Sequence, residues 1–282
     1  MSNFSLSCEL KKEKFELGVK YCFDDVLQIA NFAKVENSNK KTDYKIKPIF
    51  IIGVPRSGST LIEKIIGSAK KFIPMGEEIS IFEQFIHNKI QEKKSLNLGE
   101  VKSVREELVD IYKDRGLIQE KSDFTFTDKS LNNFFYLRLI KEIFPQAKVI
   151  NCRRKTLSSI ISIFQNNLTD LAWTHNLEHI FKYFDNYFKI INEFKKKYPN
   201  FIYDLNFENF TNEPEIESKK LMSFCNLLWD KKCLEFYKRK DIVSKTASCQ
   251  QIRKSIYKHP ADRYLPYKEF LNKYGSKYSW FN

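Results

Sequence analysis

The eight residues Gly53-Val-Pro-Arg-Ser-Gly-Ser-Thr60 constrain this chain more than any other stretch. They join an apolar, β-rich run, Ile49–Ile52, to a segment in which Leu61, Ile62, Ile65 and Ile66 recur at helical spacing. Gly53, Gly58 and Thr60 fall in register with the phosphate-cradling pattern GxxxxGK(S/T). Backbone N–H groups of such a loop, with the helix N-terminus behind them, form an anion site. Position 59 departs from the pattern. Ser59 stands where a lysine would reach the β- and γ-phosphates of a Mg-bound triphosphate, which argues against ATP or GTP chemistry. Arg56 supplies positive charge from inside the loop instead.

Three later short runs also read as strands: Phe124–Thr127, Lys148–Cys152 and Phe201–Leu205. Two follow a proline that closes a preceding helix, at Phe144-Pro145 and Tyr198-Pro199. Helical patterns separate the strands, notably Leu177–Lys197 and Pro214–Asn226. Short strands alternating with long helices predict an α/β fold, a P-loop-type parallel sheet flanked by helices on both faces. Ligands then belong at the carboxyl ends of the strands. The polar stretch Glu36–Asp43 is the one plausible joint, so residues 1–45 are expected to form a helical extension (Phe23–Ala33) packed on a main domain of residues 46–282.

Composition narrows the partners. With 42% apolar residues and 25 Phe among 282 residues, the chain carries too much core material to be disordered. No apolar run approaches the roughly 20 residues of a membrane span, and Met1–Lys20 lacks a signal-peptide stretch, so a cytoplasmic location is expected. The cysteines at 8, 22, 152, 225, 233 and 249 have neither CxxC spacing nor a histidine at ligand spacing, so no metal is expected. Cys152 and Cys225 lie in apolar segments and read as buried thiols. His175 and His179 read as an i, i+4 pair without a third ligand. The net charge of +13 implies an anionic partner. Much of it sits in short lysine clusters typical of solvated faces, and no nucleic-acid-binding signature accompanies it, so nucleic acid is not expected.

The stretch Ile51-Ile-Gly-Val-Pro-Arg-Ser-Gly-Ser-Thr-Leu61 resembles the 5′-phosphosulfate loop of sulfotransferases that use 3′-phosphoadenylyl sulfate (PAPS). Further blocks follow in the same order as in the branch containing tyrosylprotein and bacterial TPR-linked sulfotransferases. They are Gly76-Glu77-Glu78, Asp128-Lys129 with Asn133, and Cys152-Arg-Arg154 with Ser162 eight residues on. Thr246-Ala-Ser248, Gln251-Ile-Arg253, Ile256-Tyr257 and Arg263-Tyr264 resemble the C-terminal block. The likeness runs from about Ile49 to Tyr267; the 45 residues before it are too short for a TPR array. Two departures stand out: Lys155-Thr156 replaces Asp-Pro, and Phe207-Glu208 replaces Tyr-Glu.

The resemblance implies a PAPS-dependent transferase that moves a sulfuryl group to an acceptor hydroxyl or amine and releases adenosine 3′,5′-bisphosphate (PAP). It implies Glu78 as general base, Lys129 and Arg56 as charges on the transferring group, and Arg56, Ser57, Gly58, Ser59 and Thr60 as the 5′ cradle. It further implies Arg154 with Ser162 on the 3′-phosphate, Ser248 near the adenosine and Arg263 near the 5′ group. By composition alone, Glu77 and Glu78 also suit the acidic start of a helix over Ile79–Ile90. Trp173 or Tyr257 could line an acceptor cleft, although core packing is the commoner use of such rings. The acceptor stays open among carbohydrate, peptide tyrosine, lipid and small metabolite. A P-loop kinase or NTPase, and a non-enzymatic polyanion binder, are the alternative readings.

Overall fold

The computed structural model describes residues 46–70, 73–93, 101–118, 124–166, 168, 171–239, 253–257, 262 and 264–281. The expected N-terminal extension, and the candidate residues Ser248 and Arg263, lie outside the described residues.

Five parallel strands form one sheet: β1 (Ile49–Gly53), β2 (Met75–Glu77), β3 (Thr127–Lys129), β4 (Lys148–Arg153) and β5 (Ile202–Asn206). Their spatial order is β2-β3-β1-β4-β5. All of β1 is buried, as a central parallel strand with helices on both faces must be. Its side chains alternate between two cores. Phe50 and Ile52 join Phe82, Tyr112, Phe144 and Phe181 on one face, while Ile49 and Ile51 join Ile62, Ile65, Ile66 and Leu221 on the other. Each such fully buried side chain contributes roughly 1.5–3 kcal/mol of apolar burial.

The helices that position the site are α1 (Ser59–Gly67), α2 (Ile81–Lys93), α3 (Val101–Asp114), α4 (Leu137–Ile143), α5 (Thr156–Gln165) and α6 (Leu177–Lys197). They are followed by α7 (Phe207–Asn212), α8 (Pro214–Phe224) and α9 (Lys268–Gly275). Helix α6 has the expected bounds. Asn176 caps it by accepting from the Glu178 and His179 amides, and Lys195, Lys196 and Lys197 sit at its negative end. The chain leaves β1 towards β3 and β2 on one side and towards β4 and β5 on the other. β1 is therefore where the strand order reverses, and loops splay apart at its carboxyl end.

Several expectations shift. The strand expected at Phe124–Thr127 lies further along, at Thr127–Lys129, although the Phe124 and Phe126 carbonyls already accept from the Lys47 and Ile49 amides. β2 was not expected: three residues, Met-Gly-Glu, carry no apolar alternation, and pairing with β3 makes them a strand. Glu77 therefore ends a strand and Glu78 a turn, so neither opens a helix; α2 begins at Ile81. The helix expected over Pro214–Asn226 ends at Phe224. His175 closes a short 3-10 helix and His179 lies in α6, so the pair does not share one helix. Cys152, Cys225 and Cys233 are buried and unbridged, and burial pushes the Cys152 and Cys225 thiols up to about 12. Among the described residues no helix is long and apolar enough to cross a membrane, and no cluster of His, Cys, Asp and Glu is placed to hold a metal ion.

Candidate active site

The β1–α1 loop is built on left-handed backbone. Arg56 has φ +67 and Gly58 φ +92, the conformations that turn successive amides into one concavity. At Gly58 a side chain is excluded twice. The backbone is unfavourable for an L residue, and a Cβ would overlap Phe207 Cδ2 and lie 2.6 Å from Cε2. Gly58 is also the N-cap of α1 and makes no side-chain cap, and the amides at such a helix end point towards the loop. The Ser57 hydroxyl is fully buried and has no hydrogen-bond partner among the described residues. A buried hydroxyl without a partner, beside a helix N-terminus, fits an anion.

Two arginines converge there from neighbouring strands. Arg56 Nε donates to Ser162 Oγ on α5 at 3.2 Å, and Arg154 Nη1 donates to the Arg56 carbonyl at 3.3 Å. The Arg154 guanidinium lies over the Phe207 ring, 5.3 Å from its centroid. Phe207, the residue that departs from the family tyrosine, thus packs between Gly58 and Arg154. Burial pulls the Arg56 guanidinium below its ordinary value, an effect partly offset by the nearby Tyr257 phenol. Arg153, the last residue of β4, turns the other way, to Asp204 at 3.5 Å and the Phe188 ring. Alternation along the strand explains why Arg154 and not Arg153 reaches the loop. Ser162, expected beside Arg154 on the 3′-phosphate, accepts from Arg56 Nε, a bond that links the loop to the helix after β4. Lys155, in the place of the family's aspartate, pairs with Asp262 at 2.5 Å, while its amide donates to Glu208 Oε1.

The second half of the site lies at the ends of β2 and β3. Lys129 is fully buried, and its Nζ meets Glu78 Oε1 at 2.8 Å; the Glu78 side chain is 48% exposed. Glu78 has φ +46, and its amide donates to the Lys129 carbonyl, so the turn is pinned to the strand that carries its partner. Left-handed backbone at a non-glycine residue costs on the order of 1–3 kcal/mol and gathers at functional sites. Among the described residues it falls on Arg56, Glu78, Ser80 and Asn226, of which the first two were singled out from sequence. Glu77 lies 3.7 Å from Lys64 of α1. Asp128 anchors the region without facing it. Its buried carboxylate accepts from Tyr112 Oη at 2.6 Å, the Ser130 hydroxyl at 2.7 Å, the Ser130 amide and Asn133 Nδ2. Burial raises the Asp128 pKa, and these donors pull it back. The Ser130 hydroxyl also accepts from the Ser80 amide, which closes the turn after Glu78.

Trp173 is a core residue, 1% exposed and stacked on Tyr183 with 3.7 Å between centroids; Tyr257 is 41% exposed beside Arg56. Sequence reasoning did not single out Glu63 and Lys64, two charged residues buried on α1 behind Lys129. The sequence offers a charged pair inside an otherwise apolar helix, a pattern that ordinarily marks a solvated face.

A profile described as "Sulfotransferase family" matches residues 48–231, and the chain belongs to that family. An uncharacterized protein of Aquifex aeolicus (strain VF5) is 32% identical over 238 residues, which are 80% of this chain and 31% of that protein. The chain thus spans about a third of that relative's length. Among solved structures, the sulfotransferase domain from the Synechococcus PCC 7002 olefin synthase superposes with a TM-score of 0.57 at 18% identity, covering 81% of this chain and 91% of that one. The sulfotransferase domain from the curacin biosynthetic pathway gives 0.53 at 20%, covering 76% and 84%. At that identity the likeness is one of fold, a parallel sheet between helices.

Proposed function

We propose that this chain transfers a sulfuryl group from PAPS to an acceptor hydroxyl or amine and releases PAP. The observation that carries the reading is a buried ammonium, Lys129, held 2.8 Å from an exposed carboxylate, Glu78, at the end of β3, the strand that pairs with β1, which leads into the Arg56–Thr60 loop. The ordered motif blocks support a place in the tyrosylprotein and TPR-linked branch of the family. Bound in the cradle, PAPS supplies an activated sulfuryl group. The loop amides, Ser57, Ser59, Thr60 and Arg56 would hold its 5′ end, and Arg154 with Ser162 its 3′-phosphate. Ser248 and Arg263 are proposed to complete the nucleotide site.

The chemistry left to the protein is a proton and a charge. Glu78 accepts the proton of the acceptor hydroxyl as its oxygen bonds to sulfur, and solvent exposure makes its carboxylate reachable. Lys129 and Arg56 offset the negative charge that develops as the sulfur–oxygen bond to the phosphate breaks. The test is thermal unfolding with PAP in EDTA. PAP at about 100 times its Kd stabilises by about 2.7 kcal/mol if this reading holds. No response to PAP, together with a response to Mg-ATP, moves the chain to the phosphoryl-transfer reading. The acceptor is then sought by screening carbohydrates, tyrosine peptides, lipids and small metabolites with labelled PAPS.

A further inference from the structure

Behind the candidate site lies a buried carboxyl that the proposed chemistry does not use. Helix α1 presents Glu63, fully inaccessible, to the sheet face that carries Thr127 and Lys129. Those two residues share a face of β3 by strand alternation, and Asp128 between them turns to Tyr112 on the opposite side. Thr127 Oγ1 donates to Glu63 Oε1 at 2.7 Å and accepts from the Gly76 amide at 3.3 Å. One hydroxyl therefore ties Glu63 to both strands that lead to Glu78 and Lys129. The second oxygen, Oε2, is buried and has no hydrogen-bond partner among the described residues.

The groups facing Glu63 are Lys129 from β3, Lys64 from its own helix, Glu77 from β2 and, through its influence on the thiol, Cys152 from β4. With Glu63 ionised, the cluster formed by Glu63, Glu77, Glu78, Lys64 and Lys129 holds three carboxylates against two ammonium groups. With Glu63 protonated, the numbers are equal. A cluster that must receive an anion is better served by the second state. We propose that Glu63, held by Thr127 behind Lys129, takes up a proton when the anionic donor or its product enters the site, so that donor affinity is coupled to this buried carboxyl. The proposal rests on the donor reading given above.

Both states are accessible near neutrality. Burial raises Glu63 to about 7, while Lys129, the Thr127 hydroxyl and Lys64 pull it down and Glu77 pushes it up. An anion that engages the Lys129 ammonium adds negative potential and diverts the charge that favoured the carboxylate, so the carboxyl holds its proton to higher pH. An upward move of one unit, from about 7 to about 8, corresponds to an uptake of about 0.4 proton at pH 7 and to about fivefold weaker binding at pH 8 than at pH 6.

The experiment is calorimetric titration of the full chain with PAP at pH 7, in buffers of different ionisation enthalpy, for wild type and Glu63→Gln. The phosphates of PAP titrate near pH 6 and contribute equally to both proteins, so the difference in protons per PAP isolates Glu63. A difference of a few tenths of a proton, with the fivefold pH dependence lost in Glu63→Gln, supports the coupling. Equal proton counts in the two proteins overturn it while leaving the donor reading intact, and absence of PAP binding to wild type overturns both. Thr127→Val serves if Glu63→Gln does not fold. Wild-type proton uptake peaks midway between the two values, at about pH 7.5; loss of the hydrogen bond that lowers Glu63 moves that maximum to higher pH, and an unmoved maximum contradicts the proposal.

Discussion

Replacing Gly58 by alanine isolates the geometry of the anion loop. The backbone at φ +92 costs an L residue about 1–2 kcal/mol. The added methyl also drives into the Phe207 ring, which is 6% exposed and carries the Arg154 guanidinium on its face, so it has little room to yield. Overpacking of this kind typically costs 1–3 kcal/mol, and the two effects together predict roughly 2–5 kcal/mol of lost stability by denaturant unfolding. Because any shift of the ring moves Arg154, PAP affinity falls as well. The reasoning is separable from general fragility by a double-mutant cycle. Phe207→Ala alone costs roughly 3–5 kcal/mol, yet in the Gly58→Ala background it also removes the clash, so the double variant is less damaged than additivity predicts by about 1–3 kcal/mol. Strict additivity, or a Gly58→Ala cost below about 0.5 kcal/mol, refutes the account of the loop.

Arg154→Ala is expected to weaken PAP by roughly 1.5–3 kcal/mol while affecting adenosine 5′-phosphosulfate, which lacks the 3′-phosphate, far less. Ser162→Ala, which removes the second proposed contact to the 3′-phosphate and the acceptor of the Arg56 Nε bond, is likewise expected to weaken PAP more than adenosine 5′-phosphosulfate; competition binding with the two ligands reads both variants. Glu63 also leaves a signature in stability. Its ordinary value of 4.5 holds in the unfolded chain and about 7 in the folded one, so between those values the folded state keeps a proton that the unfolded state gives up. Stability therefore falls by roughly 3 kcal/mol as pH rises from 4.5 to 7 and is flat above. Unfolding measured across that range loses this contribution to the slope in Glu63→Gln.

The strand, the glycine loop and the helix after it were legible because local pattern and tertiary role agree there: β1 is apolar and central, and α1 turns its isoleucines to the sheet. The order of the motif blocks also located Glu78, Lys129 and Arg154, each of which lies at the carboxyl end of a strand. What pattern could not give was anything decided across the sheet. β2 exists because β3 pairs with it, and three residues carry too little periodicity to announce a strand. Glu63 and Lys64 would ordinarily mark a solvated helix face, yet Thr127 and Glu77 lie opposite them and keep them buried. The link from Ser162 to Arg56 spans 106 residues, and only the adjacency of β1 and β4 brings those side chains together.

The central claim is that Glu78 takes the acceptor proton beside Lys129. Its most direct measurement is the turnover of labelled PAPS, with an acceptor found by screening, for Glu78→Gln against Glu77→Gln. Glutamine keeps the size and the hydrogen-bonding oxygen of Glu78 but cannot take the proton. The account predicts nearly unchanged PAP affinity with turnover reduced roughly 10²–10⁴-fold for Glu78→Gln. Glu77, which faces Lys64, is predicted to tolerate the same change. Wild-type turnover in Glu78→Gln contradicts the claim, and an inactive Glu77→Gln in the same experiment transfers the role to the neighbouring carboxylate.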